Sequence, residues 1–386
     1  MRETTVKKTL DAILKYVKET DMFLLSLCVV STVYGIILID SATRHMEKSN
    51  NVYIQAVSLF IGVGLFVLFS LLDIDTIADR SKILYALSIV FISTLFIWGV
   101  EGNTGNKAWL RFGAVGIQPA EIVKIPYIII LAKMISDMKD RRILNAPLSL
   151  LKILAAFAGL FGFIMVSSQD LGSALVYLFI LAVMLFVGGV DAKWLLLGAL
   201  LLVGALILAW NGFLTPQQKE RILAPYDPSI DPTGLNVRFQ VIRSRYAIAA
   251  GDFLGLGLYN GSMTQSGAVP KQHTDFIFSA AGEELGFVGC LAIVALLLMI
   301  IIRTFIVGIR SNNNIGMLVC TGVAAMLICQ TFENIGMCLG LTPVIGLTLP
   351  FFSYGGSSIV TLYAAMGIVA GIKMRPKPGR FRSYDR

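Results

Sequence analysis

Asp275 is the residue whose type and setting most invite chemistry. It closes a long polar loop, in His273-Thr274-Asp275-Phe276-Ile277-Phe278, and opens the apolar run that follows. Arg238, Arg243 and Arg245 stand upstream in the same loop. A carboxylate at such a mouth can take a proton while guanidinium groups hold an anionic leaving group, the general-base and charge-stabilising roles of group transfer. The competing reading is plainer, because Asp before an apolar helix is a common N-cap. Other charged residues fall inside or beside apolar runs, where a charge at mid-membrane costs at least about 2.5 to 3.5 kcal/mol. Glu121 and Lys124 share one helical face and can pair, although such a pair also serves packing alone. Asp170 lies at a short turn before an apolar run, where capping is again the alternative. Glu333 lies deep in a later run, where pairing with a basic group on another helix is the one plain alternative to a functional role.

The elements that must position these residues are membrane helices. Of 386 residues, 56% are hydrophobic and 15% charged, against about 25% charged in soluble domains. Apolar runs fall at 22–40, 52–72, 83–100, 121–138, 147–166, 174–190, 194–210, 277–309, 316–339 and 357–373. Runs near twenty residues match a helix crossing a hydrocarbon core of about 30 Å, and in lipid only helices or closed barrels satisfy the backbone. The alternating ten-residue segments of a barrel are absent. The predicted fold is therefore all-α: a polytopic bundle of about ten transmembrane helices, with a long extracellular loop, 211–276, between helices 7 and 8.

Charge sets the orientation. Arg80, Lys82, Lys139, Arg141, Arg142, Lys193 and Arg310 fall between spans on one side, with both basic tails. Short loops on the other side hold only Arg44, Lys48, Lys107 and Arg111. The positive-inside rule then puts both termini in the cytoplasm. The net charge of +8 is thereby absorbed by orientation, and nucleic acid is not an expected partner. Residues 1–21 do not read as a cleavable signal peptide. Leu10, Ile13, Leu14 and Val17 share a face with Lys7, Lys8, Lys15 and Lys18 nearby, as in an amphipathic surface helix, with a frayed basic tail as the alternative. The membrane domain is expected over 22–373 and a basic cytoplasmic tail over 374–386.

The five cysteines lie inside apolar runs without CxxC spacing, and only His45 and His273 are histidines. Neither a disulfide framework nor a protein-built metal site is expected. The long loop opens with the turn-rich Pro225-Tyr226-Asp227-Pro228 and Asp231-Pro232-Thr233-Gly234. A short amphipathic helix is predicted over 235–245, then a glycine-rich stretch with Gly251, Gly255, Gly257 and Gly261. Glycines so spaced can turn backbone N–H groups on an anion; loop flexibility is the simpler reading.

Two segments carry a family resemblance. Residues 334–358 run from Asn334-Ile335-Gly336-Met337 through Gly340-Leu341-Thr342-Pro343 to Phe352-Ser353-Tyr354-Gly355-Gly356-Ser357-Ser358. Residues 270–287 hold the His273-Thr274-Asp275 stretch and Glu283-Glu284-Leu285-Gly286-Phe287. Trp109, Gln118-Pro119-Ala120-Glu121 and Asp170-Leu171-Gly172-Ser173 support them. Together they resemble the SEDS family (shape, elongation, division and sporulation) of RodA and FtsW type. Phe332-Glu333-Asn334-Ile335 and the short tails favour the RodA branch.

The resemblance implies a peptidoglycan glycosyltransferase of the bacterial cytoplasmic membrane. Lipid II would be its substrate and a class B penicillin-binding protein its partner. Asp275 matches the family's proposed catalytic acid, which would deprotonate the acceptor hydroxyl as undecaprenyl pyrophosphate departs. Arg111, Arg243 and Arg245 are the candidates for the pyrophosphate, with a divalent cation (Mg or Mn) beside them as a further candidate. Trp109, Glu121, Lys124, Asp170, His273 and Ser357 match polar or aromatic family positions expected to meet substrate. The chain departs from the family pattern at Ala108, Gln169, Leu256 and Lys271, where arginine, proline, lysine and glutamate are usual. A lipid flippase or a non-catalytic scaffold of the elongation or division complex is the alternative; a flippase would need Glu121, Lys124 and Glu333 along a through-path and could dispense with Asp275.

Overall fold

A computed structural model describes residues 11, 14–46, 49–100, 107–113, 115–212 and 214–375. Ten long helices organise them: α1 (Met22–Thr43), α2 (Asn51–Leu71), α3 (Ser81–Trp98), α4 (Pro119–Asp140), α5 (Pro147–Ser168), α6 (Leu171–Gly188), α7 (Ala192–Gly212), α8 (Ile277–Ile309), α9 (Asn314–Leu339) and α10 (Gly356–Met374). Nine are long and apolar enough to cross a membrane. The exception is α4, whose 22 residues include Glu121, Lys124, Lys133, Asp137, Lys139 and Asp140. Glu121 and Lys124 are buried and pair with each other, while Lys133 bridges Asp79 and Asp137 and the last two charges, Lys139 and Asp140, are exposed at the helix end; Tyr127, Ile128, Leu131, Ala132 and Ile135 of α4 lie in the core. The chain is thus a multi-pass helical membrane protein.

Position in the bundle follows side-chain size. In lipid there is little hydrophobic drive between helices, so small residues that admit close backbones decide contacts. α10 lies on α2 at such a place: a Cβ on Gly367 would stand 2.5 Å from the Phe66 carbonyl oxygen, and one on Gly371 2.6 Å from that of Ser70. α9 and α10 are the most enclosed, with 72% and 78% of their apolar windows buried, whereas α7 has no buried residue. At one end of the bundle Asp21 caps α1 and, fully buried, pairs with Arg303 of α8 at 2.7 Å and Lys373 of α10 at 3.4 Å. Of the N-terminal segment, residues 14–19 are helical, and the Tyr16 hydroxyl lies 2.8 Å from Ser70 Oγ of α2. Lys7, Lys8, Leu10 and Ile13, like most of the tail 374–386, lie outside the described residues. The five cysteines are buried free thiols.

Three features depart from the sequence reading. Residues 107–117 contain a small hairpin, β1 (Leu110–Phe112) against β2 (Val115–Ile117), pairing Arg111 with Gly116. The loop helix begins late, at Phe239–Ala250, because the Asp231 carboxylate accepts the N–H groups of Asn236 (2.9 Å) and Arg238 (3.2 Å) and holds 231–238 in turns. Third, α8 breaks at Gly286, whose φ of 64° and ψ of −161° leave helical space.

That break explains the glycine-rich stretch. Leu256 and Gly257 donate to the carbonyls of Glu283 and Glu284 at 3.0 and 2.9 Å, while Phe287 and Val288 donate back to Asp252 and Phe253 at 2.9 and 3.2 Å. Residues 252–257 therefore satisfy the backbone groups that the broken helix releases. A Cβ on Gly255 would sit 2.2 Å from the Glu284 carbonyl oxygen. These glycines serve close packing: the Gly257 N–H is spent on α8, that of Gly255 on the Gly251 carbonyl and that of Gly251 on the Ile248 carbonyl. Two buried carboxylates fix the arrangement. Glu283 accepts from the N–H groups of Met263 (2.8 Å) and Thr264 (2.7 Å) and from the Thr264 hydroxyl (2.6 Å). Glu284 accepts from Ser41 Oγ at 2.6 Å and Gln265 Nε2 at 2.8 Å.

Candidate active site

The long loop, so anchored, delivers a tight turn at 271–276. Lys271 adopts a left-handed φ of 55°, and its carbonyl accepts the N–H groups of Thr274 (3.0 Å) and Phe276 (3.2 Å). The turn docks on irregular backbone between α9 and α10. Asn334 of α9, fully buried, donates from Nδ2 to the carbonyls of Asp275 (2.8 Å) and Leu347 (2.7 Å). Ser353 Oγ donates to the Thr274 carbonyl at 2.6 Å, and the Tyr354 N–H to that of His273 at 2.9 Å. Gln55 of α2 completes the frame: Nε2 donates to the Ser353 carbonyl at 3.0 Å and Oε1 accepts the Gly355 N–H at 3.1 Å. Irregular backbone at membrane depth survives only when buried in protein and paired in this way.

Asp275 is not an N-cap. Phe276 holds that position, and no side chain caps α8. The carboxylate instead faces Lys271 Nζ at 3.6 Å. Gly346, at a left-handed φ of 75°, covers it: a Cβ there would lie 3.6 Å from Oδ2. With 8% of the residue exposed, the group is withdrawn from water yet reachable. Burial pushes its pKa above the ordinary carboxylate value; the Lys271 charge and the Thr274 hydroxyl pull it back, and Asp170 adds to the rise. A base moved towards operating pH is what proton abstraction asks for.

Asp170 approaches the same irregular segment from α6. It caps that helix through the Ser173 N–H at 3.0 Å, and Oδ2 accepts from Ser173 Oγ (2.7 Å) and Gln118 Nε2 (2.8 Å). A Cβ on Gly172 would stand 2.8 Å from the Ile345 carbonyl oxygen, so the start of α6 abuts 345–347. Capping and a place beside Asp275 coexist here. Glu121 and Lys124 form a buried ion pair. Lys124 and Glu333 both lie within electrostatic range of Cys329, but among the described residues Glu333 makes no ion pair, and its Oε2 has no hydrogen-bond partner.

The Trp109 ring lies against Gly116, whose Cβ would stand 3.2 Å from it, and the Trp109 carbonyl accepts from Val100 N–H at 2.8 Å. Arg111 is exposed on β1. The His273 ring centroid is 5.9 Å from that of Tyr354; burial lowers its pKa, with a smaller push from His45, which favours the neutral imidazole. Ser357 is half-buried in the first turn of α10. Arg243 stacks over Phe239 at 5.3 Å, whereas Arg245 lines a recess with Arg221 and Arg238. Among the described residues no three acidic, histidine or cysteine side chains gather as a metal site. A magnesium or manganese ion would thus have to draw ligands from phosphate oxygens. Asn334 and Gln55 were not singled out by charge, although a carboxamide within an apolar span is itself a signal; Gln118, just ahead of α4, lies in no such span.

Comparisons agree with this architecture. The family model of the FtsW, RodA and SpoVE cell cycle proteins matches residues 20–377. Peptidoglycan glycosyltransferase MrdB of Escherichia coli K12 is 33% identical over 298 residues, covering 76% of this chain and 78% of that protein. A probable peptidoglycan glycosyltransferase FtsW of Bacillus subtilis is 32% identical over 359 residues, covering 89% and 86%. The two branches therefore match almost equally. Among solved structures, a chain from a peptidoglycan synthase complex that coordinates polymerization and crosslinking superposes with a TM-score of 0.78 at 30% identity, covering 92% of this chain and 97% of that one. The rod shape determining protein RodA of Thermus thermophilus gives 0.67 at 28% identity, covering 92% and 96%. By the extent of the sequence match and the shared fold, this chain belongs to the FtsW/RodA/SpoVE family of cell cycle proteins, the SEDS family.

Proposed function

We propose that this chain is a peptidoglycan glycosyltransferase, polymerising lipid II at the outer face of the bacterial cytoplasmic membrane during elongation or division. The observation that carries the mechanism is Asp275: a carboxylate outside the spans, free of capping duty, shielded from water and raised in pKa. Asp275 takes the proton from the acceptor sugar hydroxyl as that oxygen attacks the anomeric carbon of the donor. The new C–O bond forms as the bond to pyrophosphate breaks, inverting the carbon, and the negative charge leaves on undecaprenyl pyrophosphate. Arginines of the long loop, Arg243 and Arg245 with Arg111 of the hairpin, are proposed to attract that charge, and His273, Asp170, Trp109 and Ser357 to shape the sugar site. Glu121 and Lys124 hold α4 in the bundle beneath it.

The basic residues between spans support a cytoplasmic position for both termini, an orientation in which Asp275 lies outside, with the sugar of lipid II. A class B penicillin-binding protein is the proposed partner, supported by the likeness to a chain of a peptidoglycan synthase complex. One observation favours translocation of the lipid instead: Gln330, Thr331, Glu333 and Asn334 along α9 each keep a buried polar atom without a partner among the described residues. Vesicles reconstituted with the full chain and fluorescent lipid II separate the two. Polymer without accelerated transbilayer movement supports the glycosyltransferase, and movement without polymer, with the partner present, overturns it.

A further inference from the structure

The end of the bundle opposite Asp275 holds a charge cluster that the proposed reaction does not use. Asp21, the N-cap of α1, is fully buried; it accepts from Arg303 Nε of α8 at 2.7 Å, and Lys373 Nζ of α10 lies 3.4 Å from its other oxygen. One negative charge against two positive leaves the cluster at +1. Arg303 also keeps donors in hand: Nε is spent on Asp21, and among the described residues neither η nitrogen has a partner. The cations are within reach from outside, since the side chains of Arg303 and Lys373 are 22% and 35% exposed while that of Asp21 is wholly enclosed. Among the described residues no second carboxylate lies within salt-bridge distance of either cation. Asp73, close by in the chain fold, is taken by Arg375 at 3.3 Å. The segments that flank the cluster in sequence bring no neutralising charge: residues 1–20 hold five basic against three acidic residues, and 376–386 four against one.

Depth narrows the choice of anion. Asp21 immediately precedes α1, Lys373 is the last residue but one of α10, and Arg303 lies one to two turns before the end of α8, about 9 Å along the helix axis. All three stand where spans enter the headgroup layer. Beside them, on the outside of the bundle, Phe23 and Ile302 are 56% and 54% exposed, apolar flanks against which acyl chains can lie. A guanidinium fork and an ammonium group suit the oxygens of a phosphodiester, and basic pockets between spans on the cytoplasmic side seat anionic headgroups. We infer that Arg303 and Lys373 hold the phosphate of an anionic phospholipid, with Asp21 setting how much of their charge is free for it. The lipid then joins α8 and α10 to α1 at the end of the bundle away from the reaction. This site does not depend on the glycosyltransferase reading; only its assignment to the inner leaflet rests on the proposed orientation.

The test titrates phosphatidylglycerol into the purified full chain held in phosphatidylcholine nanodiscs, with the retained lipid counted by native mass spectrometry. Arg303→Gln and Lys373→Gln should each lower the affinity about fivefold, the weight of one basic residue near an anionic leaflet. Arg303→Lys, which keeps the charge but loses the fork, should fall between, and it covers a glutamine variant that fails to fold. Asp21→Asn is the sharpest variant. It removes the carboxylate that competes for both cations, so retention should rise, whereas a purely structural role for the cluster would make it fall. Arg310→Gln, exposed at the same end of α8, should bind as wild type does; an equal loss there would reduce the effect to the general field of basic residues and overturn the site. sn-Glycerol 3-phosphate, which carries the phosphate without the chains, should not displace the lipid at comparable concentration. Equal competition by it would make this a soluble-anion site and overturn the lipid assignment. Unchanged retention in folded Arg303→Gln and Lys373→Gln, or a fall in folded Asp21→Asn, would overturn the proposal.

Discussion

Asn334→Leu removes the side chain that ties Asp275 to the irregular segment while keeping its volume nearly constant. Two hydrogen bonds are lost, to the carbonyls of Asp275 at 2.8 Å and Leu347 at 2.7 Å. A buried group left unpaired costs about 1–3 kcal/mol, so the pair sums to about 2–6 kcal/mol. Two features lower that figure. Cys338 Sγ also reaches the Asp275 carbonyl, at 3.7 Å, and Asn334 Oδ1 has, among the described residues, no partner whose loss would count. We therefore take about 2–4 kcal/mol, met partly by stability and partly by withdrawal of the turn from 345–347. A displacement near 1 Å at a reacting group costs on the order of a hundredfold in rate. Initial rates of glycan polymerisation by the purified protein should fall about a hundredfold, with a modest drop in melting temperature. A rate within about threefold of wild type at an unchanged melting temperature would refute the idea that Asn334 positions Asp275.

Lys271→Met should move the acidic limb of the pH–rate profile to higher pH. Burial already raises the Asp275 pKa and Lys271 opposes it, so without the cation the base is protonated at a higher pH; Lys271→Arg should hold the wild-type limb, and a Met variant with an unshifted limb would contradict the contact. Glu283→Ala strands the N–H groups of Met263 and Thr264 and should destabilise the long loop by about 3–5 kcal/mol, as for other broken buried charge sites; faster limited proteolysis within 251–270 is the readout, and wild-type protection would count against it.

Much of the bundle was legible because lipid leaves a helix few options. The run 277–309 coincides with α8, since its ends are set by polar sequence on both sides. The break inside that helix was not legible. Gly286 can leave helical space because residues 252–257, some thirty positions upstream, supply the missing hydrogen bonds, and no local pattern encodes such a partner. The same contacts convert Gly251, Gly255 and Gly257 from a suspected anion cradle or flexible stretch into packing residues. Reading charge in and beside apolar runs found Asp275 and Asp170, which lie within electrostatic range of each other, and the buried Glu121–Lys124 pair; it also found Glu333, which makes no ion pair among the described residues. It passed over Asn334 and Gln55, because carboxamides carry no charge, although their burial in apolar helices is costly unless paired. The arginine recess escaped for a different reason. Arg221 joins Arg238 and Arg245 only through the packing of two short helices whose spacing in the chain follows no period.

The central claim is that Asp275 acts as the base. Its most direct test is the initial rate of polymer formation from lipid II, comparing wild type with Asp275→Asn, each purified with a class B penicillin-binding protein and checked for folding. Asparagine keeps the shape and the Asn334 contact to the backbone but cannot accept the proton. We predict a loss of at least about a hundredfold, the lower end of the range for general-base catalysis. Equal rates from two folded proteins would contradict the account and remove Asp275 from the chemistry.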